Sequence, residues 1–257
     1  MIKWRLMLGT LPFVFGMTFL KYLLESVFHF DGMVDFGEVG IVLTAGVFLT
    51  GFMLAGTMSD YKESEKLPGE LACTLETLEE VLVQSTIAKP AIDPKPLRRA
   101  VLDTTKQLGA WLKKAVPYGE AFVALTKLDG VIQQVEREGG GAYASRAINE
   151  LHNLRKTVTR IAVISRTGFL PPAYALLETL MVIILVLLLM AKFKSPLAEY
   201  ILVPFVTLIY VYMLRLIKDV DDPFDYSPGG QKGGAEVELF PLEEFTVRLE
   251  ARVAAEQ

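Results

Sequence analysis

The pattern of hydrophobic and polar positions is dominated by two apolar runs, at about 170–191 and 200–217. Glu178 is the only charged residue in the first run, and the second has no charge from Tyr200 to Leu214. A helix of roughly 20 residues crosses a hydrocarbon core about 30 Å thick. The pattern therefore predicts a transmembrane helical hairpin. A buried hairpin of a large soluble protein is the alternative, but the chain is short and the runs are long.

Two more apolar runs lie nearer the N-terminus, at about 6–24 and 39–58. The basic start of the first is also typical of a signal peptide, but no small-residue cleavage site follows, so we expect an uncleaved span. We expect Lys21, at its end, to extend its amine to the interface. The second run contains the pairs Gly46-x-x-x-Thr50 and Gly51-x-x-x-Ala55, which indicate either close helix packing or a helix that lines a narrow path.

The segment 59–167 is polar, and its apolar residues recur at helical spacing. Proline and glycine breaks divide it into about four helices. The pattern predicts apolar stripes that include Leu71, Leu75, Leu78 and Leu82 on one helix, Val123 on another and Ile148 on a third. The predicted domains are a transmembrane hairpin at 1–58, a helical domain at 59–167, a second transmembrane hairpin at 168–222 and a tail at 223–257 with one short amphipathic helix.

Composition and charge refine this picture. The chain has 257 residues, of which 52% are hydrophobic and 22% charged, as expected for spans combined with a sizeable polar domain. The net charge is −4 without a long basic run, which argues against nucleic acid as a partner. Eight basic residues flank one side of the four spans and three the other, so the positive-inside rule predicts that both termini and the polar domain are cytoplasmic. The eight are Lys3, Arg5, Lys62, Lys66, Arg160, Arg166, Arg215 and Lys218; the three are Lys21, Lys192 and Lys194.

Catalytic chemistry finds little support in the sequence. The only histidines, His29 and His152, are predicted on opposite sides of the membrane, and the single cysteine, Cys73, has no metal-ligand pattern around it. No nucleophile has an obvious base nearby. We therefore expect neither an enzyme nor a bound cofactor, and no metal site is assigned.

Acidic residues follow the fourth span, where the helix dipole opposes negative charge. They are Asp219, Asp221, Asp222 and Asp225. Pairing within or between subunits, a bound cation, or a solvated turn ended by Pro223 would each account for them. Calcium needs six to eight oxygen ligands, of which these residues supply only part. Glu178 is a separate intramembrane carboxylate that either faces protein or water, or precedes the hydrocarbon core.

The plan of two spans, a helical segment, two spans and then Asp222-Pro-Phe-Asp225 resembles the bestrophins. With Ser59-Asp-Tyr61 after the second span, the chain is similar to the bestrophin-like membrane proteins of bacteria and plants. The resemblance implies an all-α membrane protein whose cytoplasmic helical bundle is inserted between spans 2 and 3. It also implies a homo-oligomer, pentameric as in bestrophins, that conducts inorganic ions, with anions as the expected charge carrier and a pore lined by span 2.

One face of span 2 carries the candidate pore residues Thr44, Phe48, Gly51 and Ala55, because their spacing of three and four places them together. A ring of Phe48 around a symmetry axis would form an apolar gate, whereas Phe48 in contact with lipid is an equal alternative. Phe52, about 40° further around the helix, should matter less. We expect an oligomeric ion channel of the bacterial inner membrane; the alternative is a membrane-anchored sensor or interaction protein without a pore.

Overall fold

The structure is a computed structural model that describes residues 2–30, 32–168, 170–226 and 233–256. It confirms an all-helical membrane fold. The helices are α1 (Ile2–Ser26), α2 (Phe36–Ser64), α3 (Leu67–Ala88), α4 (Pro94–Leu112), α5 (Tyr118–Val135), α6 (Gly141–Ile164), α7 (Pro171–Met190), α8 (Pro196–Asp221) and α9 (Phe240–Ala254). A kink at Glu136–Gly140, where Gly139 has φ of 90°, joins α5 to α6, and the two short strands are β1 (Val34–Asp35) and β2 (Ala191–Lys192).

The chain divides into two compact units. The first contains residues 1–61 and 168–222, and the second contains residues 62–167 and 223–257. Four helical stretches in the described residues are long and apolar enough to cross a membrane: α1, the stretch that begins with α2, α7 and α8. These stretches correspond to the four runs that the sequence pattern predicts.

In the first unit, α1 packs along α8, while α2 packs on α7 and α8 through few residues. Met53 of α2 is 1% exposed because it inserts between Leu177 of α7 and Leu214 and Ile217 of α8. Most other apolar side chains on these helices remain exposed, including six phenylalanines that are more than half exposed: Phe13, Phe15, Phe19, Phe48, Phe52 and Phe205. Such surfaces are stable in hydrocarbon or against further protein, not in water.

The connectors of the first unit pair with each other in a parallel bridge between β1 and β2. Gly32 precedes β1 with φ of 83°, and a Cβ atom there would lie 2.9 Å from the Lys192 backbone nitrogen. Only glycine therefore fits this approach without displacing β2. The Phe36 and Phe193 rings stack at 4.7 Å beside the bridge, which fixes the two connectors together.

Lys21 is buried near the end of α1, and its side chain is only 3% exposed. The amine donates hydrogen bonds to the Leu189 carbonyl at 3.2 Å and the Ala191 carbonyl at 2.8 Å, at the C-terminal end of α7. It also lies 3.2 Å from both Glu25 and Glu199. A buried amine needs such partners, and this one joins α1, α7 and α8.

The second unit is a helical bundle with a leucine-rich core. Leu71, Leu75, Leu78 and Leu82 of α3 are all fully buried, so this stripe is confirmed. Val123 and Ile148 are 46% and 41% exposed, so their assignment to apolar stripes was wrong. Both lie at the edge of an apolar face, where helical spacing alone does not separate packed from half-covered positions.

Helix α9 is the fifth helix of this bundle, although the sequence analysis placed it in a tail. Leu242, Phe245 and Leu249 are buried where α9 packs on α3 and α4. Charged residues surround this contact: Glu79 of α3, 2% exposed, accepts from Arg98 Nε at 2.6 Å and from Arg252 Nη1 at 2.7 Å. The predicted glycine-rich loop before α9, at 227–234, lies mostly outside the described residues.

Candidate functional site

Helix α2 carries the candidate pore residues, and its two faces have opposite environments. Its packed face contains Gly46, Thr50, Met53 and Thr57, of which the last three are at most 5% exposed. Thr44, Phe48, Gly51 and Ala55 lie on the other face and are exposed in the single chain. The structure therefore brings the four predicted residues together on one surface that no other part of the described chain covers.

The packed face explains one of the two small-residue pairs. A Cβ atom at Gly46 would lie 2.6 Å from Ile184 Cδ1 and 2.8 Å from the Tyr210 hydroxyl oxygen, so glycine is required there. Tyr210 uses the space to donate a hydrogen bond to the Leu43 carbonyl. Thr50 donates to the Gly46 carbonyl at 2.7 Å and so presents no free hydroxyl. The pair Gly46 and Thr50 thus serves helix packing.

The second pair, Gly51 and Ala55, has no comparable role within the chain. A Cβ atom at Gly51 would meet no atom within 4 Å, and the same holds for Gly40, nearly three turns earlier. Glycine costs a helix roughly 0.5–1 kcal/mol relative to alanine. No contact with the described residues compensates for this cost at Gly51, so packing within the described chain does not account for a glycine there.

The exposed face of α2 is apolar, with one large side chain, Phe48, and one hydroxyl, that of Thr44. Phe48 is 78% exposed and is the bulkiest of the four candidate residues. The Thr44 hydroxyl donates to the Gly40 carbonyl at 2.9 Å, so it is satisfied by its own helix. The face offers no charged side chain. An ion that passed along it would meet small and apolar groups, and Phe48 would form the narrowest ring.

The acidic residues after the fourth span do not form a common site. Asp225 makes an ion pair with Lys114 inside the second unit. Asp221 belongs to the first unit, where a Cβ atom at Gly168 would lie 2.7 Å from its Oδ2. Asp219 and Asp222 also interact with neighbouring groups. Across the described residues, no three His, Cys, Asp or Glu side chains converge as metal ligands would.

The Asp222-Pro-Phe-Asp225 motif forms a packed turn. Phe224 and Tyr226 are 3% and 5% exposed. Tyr226 donates its hydroxyl to the Val237 carbonyl, and the Val237 amide donates to the Pro223 carbonyl at 3.0 Å. The motif thus anchors the segment that leads to α9, and its aromatic residues have a structural role.

Glu178 has a partner inside the first unit. Its carboxylate lies 2.6 Å from Lys218 Nζ, and both side chains are about half exposed. Lys218 is near the C-terminal end of α8, where the sequence predicts an interface. The geometry is consistent with the interpretation that the hydrocarbon core begins beyond Glu178, and such an exposed pair contributes little stability.

Comparison with solved structures identifies the architecture. The crystal structure of a bacterial bestrophin homologue from Klebsiella pneumoniae is similar with a TM-score of 0.75 at 15% sequence identity, and 99% of each chain is covered. Two structures of a Klebsiella pneumoniae bestrophin homologue with one mutation have TM-scores of 0.73 and 0.74 at 15% and 14% identity, and each match covers 98% of this chain and 99% or 96% of the other. The chain has the bestrophin fold.

The bestrophin fold covers the whole chain here, including α9, which the sequence analysis had left without a partner. No family model matches the sequence, and no curated protein matches it. At about 15% identity the side chains are almost all different, so residue roles in this bestrophin fold follow from the contacts of this chain alone.

Sequence reasoning missed two charged sites in this fold. For Lys21 the sequence predicted only its place at the end of a span. Its partners, Glu199 and the carbonyls at the end of α7, are distant in sequence and could not be found from local pattern. Arg215 was considered as a basic residue that flanks a span, but its guanidinium lies 4.8 Å from the Phe13 ring centre on α1. A basic residue six positions before the end of α8 signals a membrane boundary, but not the helix that it contacts.

Proposed function

We propose that this protein is an oligomeric ion channel of the bacterial inner membrane, with a pore lined by the exposed face of α2. The uncovered face with Gly51 and Ala55 carries the proposal, because small residues that are exposed in one chain are suited to a close approach around a symmetry axis. By resemblance to the bestrophins, we propose a pentamer that conducts anions.

The orientation follows from charge. The eight-to-three distribution of basic residues favours cytoplasmic termini and a cytoplasmic second unit. Three basic residues lie on the side predicted to face away from the cytoplasm. One of them, Lys21, is buried in ion pairs with Glu25 and Glu199, so it adds little positive charge to that membrane surface. Its burial strengthens the proposed orientation, because only Lys192 and Lys194 then oppose it.

A measurement of mass and current tests the function. The detergent-solubilised particle is expected to have about five times the mass of one 28.5-kDa chain, and reconstitution into planar bilayers should give currents whose reversal potential follows the anion gradient. A monomeric particle, or an oligomer that conducts nothing, would contradict the proposal. A current that follows the cation gradient would keep the channel and reverse its selectivity.

The substitution Phe48→Ala should raise basal conductance, because it removes the bulkiest side chain from the proposed constriction and allows water to enter. Single-channel or macroscopic currents at equal protein density provide the measurement. Phe15→Ala is the matched control: Phe15 lies on α1, is 67% exposed, and should be neutral in lipid. Phe52→Ala should have the smaller effect of the two α2 variants. Unchanged currents from Phe48→Ala in an intact oligomer would place Phe48 in lipid.

A sensor or interaction protein without a pore is the second candidate. It is favoured by an open groove of about 1020 Å³ on the second unit, between α3 and α6. The groove combines the Glu63–Arg160 ion pair, at 2.6 Å, with exposed polar residues such as His152 and Lys156. The bilayer experiment separates the two candidates, because a sensor would carry no current in any ion gradient.

A further inference from the structure

Arg215 is a cation without a polar partner in the first unit. Its guanidinium lies over Phe13, and it makes no hydrogen bond or ion pair with any described residue. Lys218, one turn later, is paired with Glu178. A guanidinium has five N–H donors, and leaving them unsatisfied at the edge of a hydrocarbon core is costly. The described residues of the single chain therefore offer Arg215 no hydrogen-bond acceptor.

Helix α1 has a glycine, Gly9, at the point where it meets the Arg215 guanidinium. A Cβ atom at Gly9 would lie 2.8 Å from Arg215 Nη1, so the guanidinium lies against the backbone of α1. Arg5, Gly9 and Phe13 follow one another at four-residue spacing and share one face of that helix. Arg5 is exposed and likewise makes no hydrogen bond or ion pair with the part of the chain that the structure describes. Two unpaired guanidinium groups thus occupy the same seam between α1 and α8.

The seam also has the position and the surroundings of a lipid-contacting surface. Arg5 lies near the first residue of α1 and Arg215 near the last turns of α8, so both belong to the same membrane face. Trp4, which is 63% exposed, is next to Arg5, and tryptophan side chains are enriched at the membrane–water interface. Leu8 and Phe13, 61% and 55% exposed, continue the surface towards the hydrocarbon core.

We propose that Arg5 and Arg215 form a binding site for the phosphate of an anionic phospholipid, in the leaflet where α1 begins and α8 ends. Guanidinium groups match phosphate oxygens with paired hydrogen bonds. The acyl chains would lie on Leu8 and Phe13, an apolar contact that a free phosphate ion does not make. Among the described residues, no carboxylate pairs with either arginine. The site depends only on membrane insertion, not on the proposed channel.

Lipid-dependent melting of the purified full-length oligomer tests this site. Dioctanoyl phosphatidylglycerol should raise the melting temperature of the parent protein in a saturable way. Dioctanoyl phosphatidylcholine and inorganic phosphate at the same concentrations should not. Each of Arg5→Gln and Arg215→Gln should weaken the apparent affinity for phosphatidylglycerol about fivefold, and the double variant more than about twentyfold. Arg215→Lys keeps the charge without the planar fork and should fall between parent and Arg215→Gln.

Two charge-matched controls accompany these variants. Lys218→Gln removes a charge from the same end of α8, and Arg99→Gln removes an exposed charge from α4. Both should retain the parent affinity for phosphatidylglycerol. The proposal is overturned if the double variant binds this lipid as the parent does, or if inorganic phosphate stabilises the parent equally well. It is also overturned if Arg215→Gln dissociates the oligomer without changing lipid affinity, because Arg215 then pairs with an acidic residue of another copy.

Discussion

Lys21→Met is expected to destabilise the protein more than any other single substitution in the first unit, by about 3–5 kcal/mol. Methionine has a similar length, so the loss comes from charge and not from a cavity. Glu199, whose side chain is 12% exposed, would lose the cation at 3.2 Å. The carbonyls of Leu189 and Ala191 would lose their donor at the negative end of α7. A decrease in melting temperature of about 10 °C follows for a chain of this size.

The matched control is Lys194→Met, which removes an exposed lysine from the connector between α7 and α8 and should change stability by less than about 0.5 kcal/mol. The double variant Lys21→Met with Glu199→Gln should recover part of the loss, because it removes the buried charge that the single variant leaves unpaired. Among the described residues, Glu199 Oε1 accepts no hydrogen bond, so Lys21 stabilises it through the attraction between opposite charges 3.2 Å apart. Neutralising Glu199 should therefore recover part of the lost stability. Equal melting temperatures for Lys21→Met and Lys194→Met would show that the buried amine is not important.

The spans could be predicted from the sequence because the bilayer imposes a simple condition on length and polarity. The predicted boundaries at 170–191 differ from those of α7, Pro171–Met190, by one residue at each end. Helix α8 begins four residues before the predicted run and ends at Asp221, since Ser195 caps its start and polar residues continue its last turn. Charge-free length finds the part of a helix that lies in hydrocarbon, not the turns that extend beyond it.

The exposed face of α2 was predictable for a similar reason. Helical periodicity places Thr44, Phe48, Gly51 and Ala55 together whatever else surrounds the helix. Periodicity could not separate the two small-residue pairs, because the close contact at Gly46 depends on Tyr210 and Ile184, both more than 130 residues away. The structure makes that separation: contacts among the described residues explain the glycine at position 46 but not the one at position 51.

Charged contacts between distant residues could not be predicted. Lys21 and Glu199 meet only because α1 packs on α8, and Glu178 meets Lys218 because α7 and α8 form a hairpin. The packing partners of helix α9 could not be predicted either. Its apolar stripe predicts that one face is buried, but several other helices of the chain also have an apolar face on which it could pack. The buried Glu79 and the arginines of α4 and α9 decide the choice, and no local pattern marks them as partners.

The second large effect is expected for Glu79→Gln, which should weaken the attachment of α9 by about 2–3 kcal/mol. The glutamine would keep the size of the side chain but remove the charge shared by Arg98 and Arg252. Its NH₂ group would also face one of the two guanidinium donors. Burial by itself would lower the pKa of Arg252, yet the carboxylates of Glu79 and Glu76 raise it, so for Arg252 their attraction outweighs the effect of its own burial.

Hydrogen exchange measures this effect directly. In Glu79→Gln, amides of residues 240–254 should exchange about 30–150 times faster than in the parent, as expected for a loss of 2–3 kcal/mol in local opening. The spans of the first unit should keep their protection. Glu80→Gln is the matched control, because Glu80 is the next residue on α3 and is exposed. Arg252 would retain Glu76 at 3.1 Å in the Glu79→Gln variant, so α9 should loosen without unfolding. Exchange in α9 that is equally slow in both variants would mean that Leu242, Phe245 and Leu249 hold the helix without the ion network.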